Sequence, residues 1–112
     1  LTNLKLLWDS FHFYTGEITE LEQVHVRNTS RLANSDSDFL KNKHRSLKTV
    51  HELIALYQKQ KFCLSEILDY HQDADDIPEE YQVDDHLLQS LQEMTDNLIL
   101  DMKKTQSKLE KY

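Results

Sequence analysis

Glycine and proline are almost missing from this chain: Gly16 and Pro78 stand alone in 112 residues. A β-rich fold of that length needs many tight turns, and tight turns draw on Gly, Pro and Asn-Gly pairs. An all-β architecture is therefore excluded and long helices are favoured. One glycine also leaves the backbone little means of closing around a phosphate. No glycine-rich phosphate loop, nucleophile elbow, or Ser/His/Asp or Cys/His arrangement can be placed, so the chain is read as a non-enzyme. A single cysteine, Cys63, rules out an internal disulfide framework and points to a reducing compartment, cytoplasmic or nuclear. No apolar run reaches the roughly 20 residues that a membrane span requires. Positive charge is scarce too, with 13 Lys and Arg against 20 Asp and Glu and a formal charge of −7. That balance argues against a dedicated nucleic-acid binder, which needs a broad basic surface.

Three amphipathic segments fill the chain. From Leu4 the apolar positions recur at alternating spacings of three and four through Leu7, Phe11, Tyr14, Ile18 and Leu21, then His25, Asn28 and Leu32. This is a heptad pattern, and it predicts helix 1 over about residues 2–33. Gly16 costs that helix about 1 kcal/mol against Ala without ending it. Ala33 to Asp38 is a break, in which Ser35, Asp36 or Ser37 can cap the next helix. Helix 2 is predicted over about 37–71, with Leu40, Leu47, Ile54, Lys61 and Leu68 in one lane of the seam and Lys43, Val50, Tyr57, Leu64 and His71 in the other. An acidic loop follows over 72–84, which with Asp85 carries seven carboxylates and no basic residue. Helix 3 is predicted over about 85–111, with Asp84 or Asp85 as its cap and Leu88, Leu91, Thr95, Leu98, Met102, Thr105, Leu109 and Tyr112 as its seam.

These segments predict one all-α domain over 1–112, an antiparallel up-down-up three-helix bundle. Because the chain opens on Leu1, it is expected to be a piece of a longer protein. Folding about the two links sets His25 and Asn28 beside Lys43 and His44, and Lys61 beside Trp8 and Asp9 on one side and Thr95 and Asp96 on the other. Lys61 is expected to lay its stem along Trp8 and reach solvent or Asp96. The length, the three heptad-patterned helices and Trp8 in the first of them resemble a spectrin-type repeat in layout. The third helix carries no tryptophan, so the resemblance implies the bundle and no more.

The apolar content exceeds what one seam per helix accounts for. Leu6, Trp8 and Phe13 widen helix 1. Leu56, Cys63 and Tyr70 recur at seven-residue spacing in helix 2, off the seam named above and with Phe62 beside them, and Ile99 and Leu100 lie outside the helix 3 seam. We read this surplus as a contact surface made by Leu6, Trp8, Phe13, Leu56, Phe62, Cys63, Tyr70 and Leu100. A helical protein partner or a second copy would cover it. The function expected is a non-catalytic interaction or scaffold module in a cytoskeletal, tethering or adaptor complex. The alternative is a peripheral membrane bundle using the basic side of helix 2, where Lys41, Lys43, Arg45, Lys48, Lys59 and Lys61 stand against Glu52 alone. No metal or cofactor is expected. The six histidines lack the i, i+4 spacing of a helical zinc site, and an EF-hand reading of the loop from Asp73 meets Pro78 where that motif needs glycine.

Overall fold

A computed structural model describes residues 2–34 and 37–112. Leu1, Ser35 and Asp36 lie outside the described residues. Among the described residues there are three α-helices: α1 over Thr2–Ala33, α2 over Phe39–Asp73 and α3 over Asp85–Glu110. A single 3₁₀ turn, Glu79–Tyr81, interrupts the second connection. The helices run up, down and up in an elongated bundle with principal extents of 60 × 20 × 16 Å. Close backbone approach is concentrated between α1 and α2 and between α2 and α3, so α2 is the central element.

The helix ends follow local chemistry. Asp84 caps α3, its Oδ1 accepting a 2.8 Å hydrogen bond from the backbone N–H of His86. Asp38 takes the N-cap position of α2 without a side-chain bond. α2 therefore starts two residues later than the sequence suggested and also ends two later. Gly16 lies within α1, which is continuous across it.

Three apolar clusters line the axis. At the acidic-loop end Leu4, Leu64, Ile67 and Leu88 are buried together. Ile18, Leu53, Tyr57 and Ile99 form the middle, and Val50, Ile54 and Leu109 the end nearest the first link. All three helices reach the first two clusters, so each is held mainly by packing on the others. The link end is also the polar end of the core. Asn28, Asn42, Ser46 and Thr49 are buried there, and Asn28 Nδ2 donates a 3.0 Å bond to Thr49 Oγ1.

Two expected registers meet different outcomes. Between α2 and α3 the alignment holds, with Lys61 Nζ paired to Asp96 Oδ1. Between α1 and α2 it slips by between one and two turns: Asn28 meets Thr49 rather than Lys43, and Thr15 meets Gln60 rather than Ile54. A slip of about one heptad leaves the two apolar stripes facing each other, so the periodicity is the same in either alignment. In consequence Asp9 does not meet Lys61, and its carboxylate lies 3.5 Å from Lys5 on its own helix.

The α3 seam is rolled as well. Ile99, expected outside it, is buried, and Leu98, expected inside, is exposed. Leu40 of α2, also expected in a seam, is exposed at the start of the helix, where α1 has already ended. The acidic loop is anchored rather than free. Ile77, Tyr81 and Val83 pack on the Leu4 cluster, and the two ring nitrogens of His71 lie 2.9 and 3.1 Å from the carbonyl oxygens of Ile67 and Tyr81.

Candidate interaction face

The predicted contact residues divide into two groups, and the central position of α2 decides which is which. A middle helix faces two neighbours and needs two seams. The lane expected from the heptads runs through Val50, Tyr57, Lys61 and Leu64; Lys61 meets Asp96 of α3, while the Tyr57 hydroxyl reaches Glu22 of α1. A second lane runs Asn42, Ser46, Thr49, Leu53, Leu56, Gln60, Cys63, Ile67 and Tyr70, again at alternating spacings of four and three, and it turns toward α1. Leu56, Cys63 and Tyr70 therefore have a seven-residue period because they belong to an internal seam.

Cys63 is 5% exposed, and burial pushes its thiol up from the ordinary value, which leaves it a small hydrophobe. Leu56 is half-buried against the Ile18 cluster and Tyr70 against the Leu4 cluster. Trp8 also packs on the Leu4 cluster, edge-on to Phe11 with ring centroids 5.5 Å apart, in a cleft it shares with Glu80, Tyr81 and Val83 of the acidic loop. For Cys63 the expected exposure is wrong, and for Leu56, Tyr70 and Trp8 most of the apolar surface is already covered within the protomer. The second heptad lane of α2 is visible in the sequence, but that it faces α1 within the protomer is set by the placement of α2 between its neighbours.

Leu6, Phe13, Phe62 and Leu100 behave differently. They expose 57, 62, 63 and 55% of their surface, although burying a large apolar side chain is worth about 1.5–3 kcal/mol. Phe62 stands on the outer side of α2 as a ridge between two open grooves. One is lined by Leu7, Ser10 and Tyr14 of α1 with Ala55, Lys59 and Cys63 of α2. The other is lined by Lys61 and Ser65 of α2 with Asp96, Ile99, Leu100 and Lys103 of α3. The Thr15–Gln60 bond sets Phe13 level with Phe62, and the Phe13 ring meets Tyr14 edge-on at 5.8 Å, beside the first groove. Lys59 Nζ lies 6.0 Å from the Tyr14 ring centroid on the same rim. Leu6 precedes Phe13 by seven residues and shares its helix stripe. The result is a ridge-and-groove surface built from all three helices, with lysines and one carboxylate at its margins.

Charge is sorted along the bundle. Antiparallel folding gathers the C-terminal part of α1, the N-terminal part of α2 and the C-terminal part of α3 at the link end. Arg27 and Arg31, Lys41, Lys43, Arg45 and Lys48, and Lys104, Lys108 and Lys111 lie toward that end, with Lys103 nearer the Phe62 groove, against Asp38, Glu52 and Glu110 among the described residues. Among the described residues none of these cations is in an ion pair. Residues 62–102 hold twelve carboxylates and no lysine or arginine, and nearly all of these gather toward the opposite end.

Inside the basic end lies a cavity of about 140 Å³ lined by His25, Thr29, Leu32, Ser46, Thr105, Lys108, Leu109 and Tyr112. Two of its polar atoms, His25 Nδ1 and Ser46 Oγ, have no protein partner although both are buried. Burial holds the His25 imidazole below its ordinary pKa, with Glu22 opposing weakly. Among the described residues no three His, Cys, Asp or Glu side chains converge in a way that could hold a metal ion, and no helix is long and apolar enough to cross a membrane. Compared with known proteins, the chain matches no family model, no curated protein and no solved structure.

Proposed function

We propose that this chain is a non-catalytic protein–protein interaction module, which assembles through helix packing within an intracellular scaffold, tether, cytoskeletal or adaptor complex. The observation that carries the reading is the exposure of Phe13, Phe62 and Leu100 on three different helices, flanking two grooves. A helix laid in either groove would bring anchors at i, i+3, i+4 and i+7 against Phe62 and its neighbours. Aromatic side chains of this kind dominate the energetics of such contacts, and Leu6 extends the surface along α1. The partner is a helical protein or a second copy of the chain.

Light scattering across a concentration series measures self-association, and affinity capture with the same protein measures a partner. The variant Phe13→Glu/Phe62→Glu changes only exposed side chains, so its helical circular dichroism is expected to stay native. Its oligomer mass or its partner recovery is expected to fall. A variant that matches the parent in both measurements overturns the proposal.

A further inference from the structure

We infer that the basic end of the bundle is a docking surface for an anionic phospholipid membrane, and that it stands the molecule upright on that membrane. Of the six cations on the basic side of α2, Lys59 and Lys61 lie mid-bundle, and Lys61 is already paired with Asp96. What the fold builds instead is an end, contributed by three helices.

At that end Arg31 of α1, Lys41 of α2, and Lys108 and Lys111 of α3 are exposed and free of ion pairs among the described residues. The negative net charge does not cancel this attraction. Charges are screened over about 8 Å at physiological salt, and the acidic pole lies at the far end of a body 60 Å long. The surface therefore meets the basic end as a local polycation.

Two further features choose a lipid surface over other polyanions. Leu40 and Tyr112 are each 66% exposed among these cations, and Phe39 meets the Tyr112 ring edge-on at 5.8 Å. An aromatic and a leucine beside basic residues match the headgroup–acyl boundary, which takes charge and apolar surface together. A duplex backbone or the acidic pole of another copy offers phosphates or carboxylates without that apolar layer. The acidic pole is repelled by the same membrane, which sets the long axis along the membrane normal. The Phe62 face then remains clear of the lipid, and its use by a partner is tested separately from this inference.

Sedimentation with phosphatidylcholine vesicles containing about one third phosphatidylserine tests the docking. Binding is expected with these vesicles and not with phosphatidylcholine alone. It is expected to fall about tenfold or more in Arg31→Gln/Lys41→Gln/Lys108→Gln/Lys111→Gln, and to stay at the parental level in the control Lys5→Gln/Lys59→Gln. Trp8, the one tryptophan, marks the acidic pole, so brominated anionic lipid is expected to leave its fluorescence unquenched. Three results each overturn the inference: equal binding by the four-site variant, quenching of Trp8, or salt-sensitive self-association without any sedimentation on anionic vesicles.

Discussion

The hydroxyl of Tyr57 on α2 donates a 3.0 Å hydrogen bond to Oε2 of Glu22 on α1, from a side chain only 2% exposed. The bond joins the middle of the core to the solvent edge. A buried tyrosine needs a partner for its hydroxyl, and a carboxylate at the margin provides one while keeping its own hydration.

Tyr57→Phe removes the donor and leaves Glu22 free to meet water, so the cost is expected near the lower end for a charge-assisted bond, about 1.5 kcal/mol by urea denaturation. The same pair predicts alkaline behaviour. Burial, helped by the Glu22 carboxylate, pushes the Tyr57 hydroxyl well above its ordinary 10.0. The unfolded chain therefore gives up this proton near pH 10 while the folded chain keeps it, and stability is lost as pH rises past that point. Tyr57→Phe is expected to flatten this alkaline limb. An equally steep limb in the variant would falsify the assignment.

The unpartnered cavity atoms predict effects at the other end of the pH scale. The folded pKa of His25 lies below its ordinary 6.5, so above that value both states are neutral and nothing is lost. As pH falls through 6.5 the unfolded chain takes up a proton that the folded chain resists, and stability declines until the folded ring titrates too. His25→Gln is expected to lessen that decline in denaturation series at stepped pH. Ser46→Ala removes a buried hydroxyl without a protein partner, and stability is expected to hold or rise by up to about 1 kcal/mol. A loss larger than that would show that the hydroxyl has a partner in solution.

Gly16 lies inside α1, and a Cβ built there meets nothing within 4 Å. Nothing in the packing requires glycine. Gly16→Ala is therefore expected to stabilise the bundle by about 0.5–1 kcal/mol through the lower entropy of the unfolded chain. Thermal unfolding measures it, and a lower melting temperature would show that the surface at Gly16 is occupied by something outside the isolated protomer.

Much of the architecture was legible in the sequence because helix formation and amphipathic period are local properties. Leu4, Ile18, Val50, Leu64 and Leu88 announced their burial by spacing alone, and position narrowed the α3 cap to Asp84 or Asp85, of which Asp84 makes the bond. The α2–α3 register was legible as well, and Lys61 finds Asp96 as expected. The α1–α2 register was not, since sliding one helix by a heptad keeps both apolar stripes in contact and leaves the pattern unchanged.

For the contact surface the division is sharper. The residue pattern alone establishes that these helices carry more apolar surface than one seam each can use. Where the surplus goes follows from packing: placing α2 between α1 and α3 turns Leu56, Cys63 and Tyr70 inward and leaves Phe13, Phe62 and Leu100 outside. Charge follows the same logic. The lysines and arginines are spread over three separate stretches of chain, and they become one basic end because an antiparallel fold brings alternate helix ends together.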